Sequence, residues 1–287
     1  MSLLLLLPFP LIEPVAFYLG DLPLLGAIPF IGDLPIRWYA LAYIAGFICG
    51  WLLQRLLVSR ERLWRAGQSR PSADQLDDLL AYVALGAVIG GRLGHVLIYD
   101  PGFYLQNPLE IVQTWKGGMA FHGGLLGSMF GIWLFARKEQ TPLLTVSDIC
   151  ASVAPIGLFF GRIANFIKPE MWGRETDVPW AMVFPQAGPE PRHPSQLYEA
   201  GLEGLALLVI LLIAARFGAL KRPGIATGIF GIGYGLARIF CEFFRDPDPV
   251  QEALQNGATM GMALSLPMIL TGVAALLYAL RRKGAPA

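Results

Sequence analysis

Stretches of about twenty predominantly apolar residues recur along this chain, and a polypeptide written in that way crosses a lipid bilayer. The hydrocarbon core is about 30 Å thick, so a helix needs roughly 17–25 apolar residues to span it. Such blocks occupy residues 36–58, 79–99, 119–136, 147–167, 197–217, 225–244 and 264–280. In lipid, the backbone N–H and C=O groups must be bonded inside the segment, which favours helix in each block. The sequence therefore predicts an all-α, polytopic membrane helix bundle of seven transmembrane helices, folded as a single domain over residues 1–287. Composition agrees, with 55% hydrophobic and 15% charged residues, where a soluble domain carries about a quarter charged. The net charge of +1 and the lack of a basic run give no footing for nucleic acid.

The connections alternate in charge. One set, with the C-terminus, holds Arg55, Arg60, Arg62, Arg65, Arg70, Arg137, Lys138, Arg216, Lys221, Arg222, Arg281, Arg282 and Lys283. The other holds Arg37, Lys116, Lys168, Arg174, Arg192 and Arg245. Basic residues in short loops stay on the cytoplasmic side, so the N-terminus is expected outside and the C-terminus in the cytoplasm. The opening MSLLLLLPFPLIEP lacks a positive leader region and is broken by Pro8 and Pro10, so it reads as a segment lying in the membrane interface. The connection 168–196 carries Trp172, Trp180, Gly173 and several prolines, and is expected to form a small external cap.

Arg92, Arg162 and Arg238 fall inside apolar blocks, where a charge costs at least about 2.5–3.5 kcal/mol at the centre of a span. One such arginine could snorkel to the interface. Three on the outward side, joined by other polar groups, point to a site. Tyr234, Arg238, Glu242 and Arg245 recur at helical spacing, which allows Arg238 and Glu242 to pair. Arg162 shares a face with Asn165, and Arg92 with His95 and Tyr99. His122 opens the third block, and Tyr39 and Tyr43 lie one turn apart in the first. The many glycines around them read first as close helix packing.

Arginine remains charged and grips phosphate through a planar fork of donors, so this array suits an anionic phospholipid headgroup. A histidine at the same depth can exchange a proton near neutral pH. Metal ligation fits poorly, because the three histidines lie on separate segments without paired spacing. Cys49, Cys150 and Cys241 form neither a disulfide framework nor a metal pattern. There is no serine–histidine–acid pattern, so a nucleophile would arrive with a second substrate. A lipid flippase or transporter and a non-catalytic scaffold remain as rivals, and alanine at Arg162 or Arg238 separates them from an enzyme.

Several runs are similar to the signatures of bacterial prolipoprotein diacylglyceryl transferases. They include Gly91-Arg92-Leu93-Gly94, Phe121-His122-Gly123-Gly124-Leu125, Gly161-Arg162-Ile163-Ala164-Asn165-Phe166-Ile167 and Glu170-Met171-Trp172-Gly173-Arg174. Further matches are Arg192-His193-Pro194-Ser195-Gln196-Leu197-Tyr198-Glu199 and Glu242-Phe243-Phe244-Arg245. The ordered set covers nearly the whole chain. The resemblance implies transfer of the sn-1,2-diacylglyceryl group of phosphatidylglycerol to a lipobox cysteine of a lipoprotein precursor. The products would be a thioether and glycerol 1-phosphate, the first step of lipoprotein maturation, in the bacterial inner membrane with the site toward the outer leaflet. No metal or organic cofactor is expected.

On that resemblance, Arg162, Arg238, Asn165 and Arg92 are expected to bind the headgroup, and Glu242 to hold Arg238. Tyr39 and Tyr234 would position substrate. His122 is the candidate proton acceptor, with a purely ordering role as its alternative. Glu170, Trp172, Arg174, His193 and Arg245 would admit the precursor or support the site, His193 with structural work as its default. The resemblance breaks at His95, where an aromatic residue is expected.

Overall fold

Helices dominate the computed structural model, which describes residues 7–10, 12–21, 34–246 and 259–281. The strands β1 (Leu7–Pro8), β2 (Val15–Tyr18) and β3 (Pro35–Arg37) precede the helices α1 (Trp38–Ser59), α2 (Gln75–Ile98), α3 (Pro101–Gln106), α4 (Phe121–Lys138) and α5 (Leu143–Ile167). There follow β4 (Met182–Val183), α6 (Ser195–Glu199), a π-helical turn Ala200–Ala206, α7 (Leu207–Arg216), α8 (Ile225–Glu242) and α9 (Met260–Arg281). Half of the interface segment expected at residues 1–14, the stretch 22–33, and Arg282 and Lys283 lie outside the described residues.

Among the described residues, six helices are long and apolar enough to cross a membrane: α1, α2, α5, the continuous run Ser195–Arg216, α8 and α9. The block expected at 119–136 is helical as α4, over 18 residues. Its glycines and its terminal Arg137 and Lys138 dilute its apolar content and leave it outside that group of six. The lipid-facing character of the chain shows in large apolar side chains left exposed, among them Phe47 and Leu52 on α1, Leu126 and Phe130 on α4, and Leu270 on α9. A water-soluble protein rarely tolerates so much apolar surface.

The chain divides into two compact units, residues 53–150 and residues 1–52 with 151–286. In the unit 53–150, α2 starts on reciprocal bonds: Ser72 N donates to Gln75 Oε1 at 2.7 Å and Gln75 N to Ser72 Oγ at 3.3 Å, with Asp77 and Asp78 in the first turn. α2 then packs on α4 through glycines spaced four apart. A Cβ on Gly127 would stand 1.9 Å from Gly86 O, and one on Gly90 would stand 2.3 Å from Gly123 O. Only hydrogen fits there, so the backbones themselves are in contact.

The segment joining α2 to α4 is held from within by Arg92. Its Nε donates to Ile111 O at 2.8 Å, Nη1 to Gly117 O at 2.6 Å and Gly118 O at 3.1 Å, and Nη2 to Glu110 O at 2.5 Å. The guanidinium also lies 5.2 Å from the centre of the Tyr104 ring. His122 is exposed in the first turn of α4, edge-to-face with Phe121.

In the other unit, the segment 168–196 shares a small core with Phe9 and Phe166. β4 pairs in parallel with β1, with Leu7 opposite Met182 and Pro8 opposite Val183. Phe9 packs 5.2 Å from Phe166 and 5.4 Å from Phe184, ring centre to ring centre, with Trp172, Met182 and Leu197 around them. Phe9 is buried against this connection, because three aromatic rings remove more apolar surface from water together than apart.

Candidate active site

The unit formed by residues 1–52 and 151–286 collects three arginines and three glutamates into one array. α5 brings Arg162, the α6–π–α7 run brings Glu199 and Glu203, α8 brings Arg238 and Glu242, and the chain after α8 brings Arg245. Glu199 and Glu203 have no exposed surface and Glu242 has 1%. Arg162, Arg238 and Arg245 keep between 11% and 16% of their side chains exposed.

Glu199 is the hub. Its Oε2 lies 3.0 Å from Arg162 Nε, while its Oε1 accepts from Arg238 Nη1 and lies 3.5 Å from Arg245 Nη1. Glu242 Oε2 lies 2.8 Å from Arg238 Nη2, so the pair expected from the four-residue spacing forms. Glu203 is held more loosely: Oε2 accepts from Arg162 Nη2 at 3.4 Å, and Oε1 stands 3.8 Å from Arg238 Nη1 without a hydrogen bond. Buried ions are tolerated only when partnered, so each member of this array depends on the others.

Local backbone geometry makes the array possible. The π-helical turn Ala200–Ala206 carries Glu203, and such turns commonly mark functional stretches of a helix. It lies close on α5, since a Cβ on Gly204 would meet Phe159 Cβ at 2.6 Å and Cα at 2.8 Å. On α9, a Cβ on Gly261 would stand 2.8–3.0 Å from the Glu242 carboxyl atoms, so the bare glycine leaves that carboxylate its place.

A second group lies at the end of α5. Asn165 Nδ2 donates to Glu170 Oε1 at 2.7 Å, and Lys168 Nζ lies 2.7 Å from Glu170 Oε2. Gln196 Nε2 donates to the Glu170 carbonyl at 2.7 Å, and Ser195 Oγ to the Met171 carbonyl at 3.0 Å. Met171, with φ +58°, makes the turn that lets the chain reverse here. Lys168 Nζ also stands 5.4 Å from the centre of the Tyr39 ring, and the Tyr39 and Tyr43 hydroxyls are 3.4 Å apart.

The remaining support residues brace the connection 168–196. Arg174 Nε donates to Arg245 O at 2.9 Å and Arg174 N to Phe244 O at 2.9 Å, which ties 168–196 to the end of α8. Trp172 packs on Phe184 and its carbonyl accepts from Asp246 N. Trp180 Nε1 donates to Tyr198 Oη at 2.6 Å, and that hydroxyl is 3.0 Å from His193 Nδ1. Burial pushes the His193 imidazole below its ordinary value, which favours a neutral ring.

Of the residues expected at the site, Arg162, Arg238, Glu242 and Arg245 share the charged array. Tyr234 lies on the same helix within the field of Glu203 and Arg238. Asn165, Glu170 and Tyr39 form the neighbouring group. Arg92 and His122 belong to the unit 53–150, and each of the three Arg92 guanidinium nitrogens donates to a backbone carbonyl. Glu199 and Glu203 were not expected as site residues. The signal was present: two acids one turn apart inside the apolar block 197–217 are as costly as the arginines. Among the described residues, no group of three or more His, Cys, Asp or Glu side chains is arranged to hold a metal ion.

The charged array lies on apolar helices, and sequence comparison identifies the family that carries it. The family model described as prolipoprotein diacylglyceryl transferase matches residues 26–278. A protein of Methylocella silvestris named phosphatidylglycerol–prolipoprotein diacylglyceryl transferase is 57% identical over 279 residues, covering 97% of this chain and 98% of its own length. Proteins of the same name from Beijerinckia indica and Rhodopseudomonas palustris are 56% and 53% identical, covering 94% and 97% of this chain and 94% of each relative. With the match running through the charged array and almost end to end, the chain belongs to the prolipoprotein diacylglyceryl transferase family.

Proposed function

We propose that this protein transfers the sn-1,2-diacylglyceryl group of phosphatidylglycerol to the lipobox cysteine thiol of prolipoproteins. The reaction forms a thioether and releases glycerol 1-phosphate. The observation that carries the reading is the buried array of Arg162, Arg238 and Arg245 with Glu199, Glu203 and Glu242. Its two central arginines offer guanidinium groups to a phosphodiester, and the relatives' names supply the substrate pair.

The chemistry follows from charge. The sulfur attacks the glyceryl carbon, a carbon–oxygen bond breaks, and the electron pair leaves on the phosphate. Arg162 and Arg238 stabilise that growing charge in a setting of low dielectric, where preorganised donors are worth most. Nearby positive charge also draws a thiol toward the reactive thiolate. Glu242 orients Arg238, and Asn165, fixed by Glu170, borders the headgroup. Tyr39 and Tyr234 position substrate, and His122 accepts the thiol proton. Arg92 contributes by fixing the segment between α2 and α4. Glu170, Trp172, Arg174, His193 and Arg245 shape the outer connection through which the precursor is admitted. The protein acts as one membrane-embedded enzyme in the bacterial inner membrane. It crosses seven times with α4 included, with the N-terminus outside, the C-terminus in the cytoplasm and the site toward the outer leaflet. No metal or organic cofactor enters this scheme.

The test uses purified protein in a non-ionic detergent, phosphatidylglycerol and a lipobox peptide with one cysteine. Glycerol phosphate release and the mass gain on the peptide are expected together, and neither with a serine peptide. If well-folded protein forms neither product with the cysteine peptide, the reading fails.

A further inference from the structure

The array is formally neutral, with three guanidinium groups facing three carboxylates. This matters for any anion that enters, and the following inference rests on the phosphatidylglycerol reading above. A phosphodiester brought beside Arg162 and Arg238 adds a negative charge to a site that already has as many carboxylates as arginines. One carboxylate must give way, and the geometry separates the three candidates. Glu199 is engaged by all three arginines. Glu242 is fixed to Arg238 one turn away on the same helix and is enclosed by Gly261 of α9. Glu203 touches the two arginines that the headgroup needs, and its nearest contact is 3.4 Å, with the other at 3.8 Å, where Glu199 has one at 3.0 Å and Glu242 one at 2.8 Å.

We propose that Glu203 is the positioning carboxylate that yields Arg162 and Arg238 to the headgroup, and that it takes up one proton as it does so. It has no exposed surface on which to carry a displaced charge in water. A buried carboxylate stripped of its cations is far more costly than a neutral acid. The proton comes from bulk water and adds to a Glu203 carboxylate oxygen, with no other bond changed. Three positive charges then face Glu199, Glu242 and the phosphodiester, and the site is neutral again. The groups that act on Glu203 are Arg162 from α5, Glu199 from its own helix, Tyr234, Arg238 and Cys241 from α8, and Glu242 and Arg245 through Arg238 and Glu199. Loss of both arginines to the headgroup removes the positive charge that partners this carboxylate.

The experiment is calorimetric binding of phosphatidylglycerol to the full protein in non-ionic detergent, in two buffers of different ionisation enthalpy. Wild type is expected to take up close to one proton per lipid, and to lose affinity by about tenfold per pH unit where Glu203 is ionised in the empty site. Diacylglycerol, which lacks the phosphate, is expected to cause no uptake. Glu203→Gln keeps the shape without the charge, so its lipid binding should release the pH dependence and show no uptake. Infrared difference spectra of wild type should gain a protonated-carboxyl band when lipid binds, a signal that does not depend on a variant folding. Absence of uptake and of that band in wild type overturns the proposal, as does unchanged uptake in Glu203→Gln. Peptide modification in the same preparation is scored separately: transfer without proton uptake leaves the enzymatic reading standing and removes only this one.

Discussion

Replacing Glu199 by alanine tests whether the charged array is a structural keystone as well as a site. The side chain has no exposed surface and engages Arg162, Arg238 and Arg245. Removing it strands those cations with fewer partners away from water, a change that costs roughly 3–5 kcal/mol when one member of a buried pair is lost. At about 2–4 °C per kcal/mol for a chain near this size, the melting temperature should fall by roughly 6–20 °C. The comparison variant is Lys116→Ala, which breaks the 2.8 Å pair with Glu110 in which the lysine is 54% exposed. Exposed pairs are worth about 0–1 kcal/mol, so that change should move the midpoint by roughly 0–4 °C. Tryptophan fluorescence melts in detergent read both variants. Combining Glu199→Ala with Arg245→Ala should cost less than the sum of the two, by about 0.5–3 kcal/mol, because they share a contact. Equal shifts for Glu199→Ala and Lys116→Ala, with full additivity in the double variant, would refute the reasoning.

Other outcomes follow from particular contacts. Arg92→Ala should loosen the segment 107–118, whose carbonyls lose charge-assisted bonds worth about 1.5–3 kcal/mol each, and hydrogen exchange there should rise by at least tenfold while α8 and α9 are unaffected. Gly127→Ala sets a methyl group against Gly86 O at 1.9 Å and should force α2 from α4, seen as poor yield of folded protein, whereas Gly50→Ala, which meets nothing within 4 Å, should be silent. For His193, whose folded-state value is lowered by burial, the unfolded chain binds the proton more tightly. Stability is therefore full above the ordinary imidazole value of about 6.5 and declines as pH falls below it; melts from pH 7.5 to 5 should show that slope, reduced in His193→Asn.

Much of the architecture was legible in the sequence. The apolar blocks at 36–58, 79–99, 147–167, 225–244 and 264–280 became α1, α2, α5, α8 and α9, and the block at 197–217 became part of the run Ser195–Arg216. Length and apolarity suffice there, because lipid leaves a backbone few ways to satisfy itself. The Arg238–Glu242 pair was equally readable, since four-residue spacing on a helix places two side chains together whatever surrounds them. The ordered motifs carried the family.

The sequence by itself thus determined the helices, their local faces and the abundance of arginine in apolar surroundings. Only the tertiary structure decided which partner each charge would take. Arg92 looked like a lipid ligand by its position, yet its donors meet carbonyls of residues 110, 111, 117 and 118, groups that every residue possesses and no pattern of side chains reveals. Glu203 entered the array on a π-helical turn that carries a glycine-thin contact with α5, details of backbone path that periodicity averages away. Phe9, at the edge of an apolar opening, found its place against Phe166 and Phe184, more than 150 positions along the chain. Spacing along one helix fixes which side chains share a face; which face of another segment they meet is settled by packing, where shape and charge are matched over long separations in sequence.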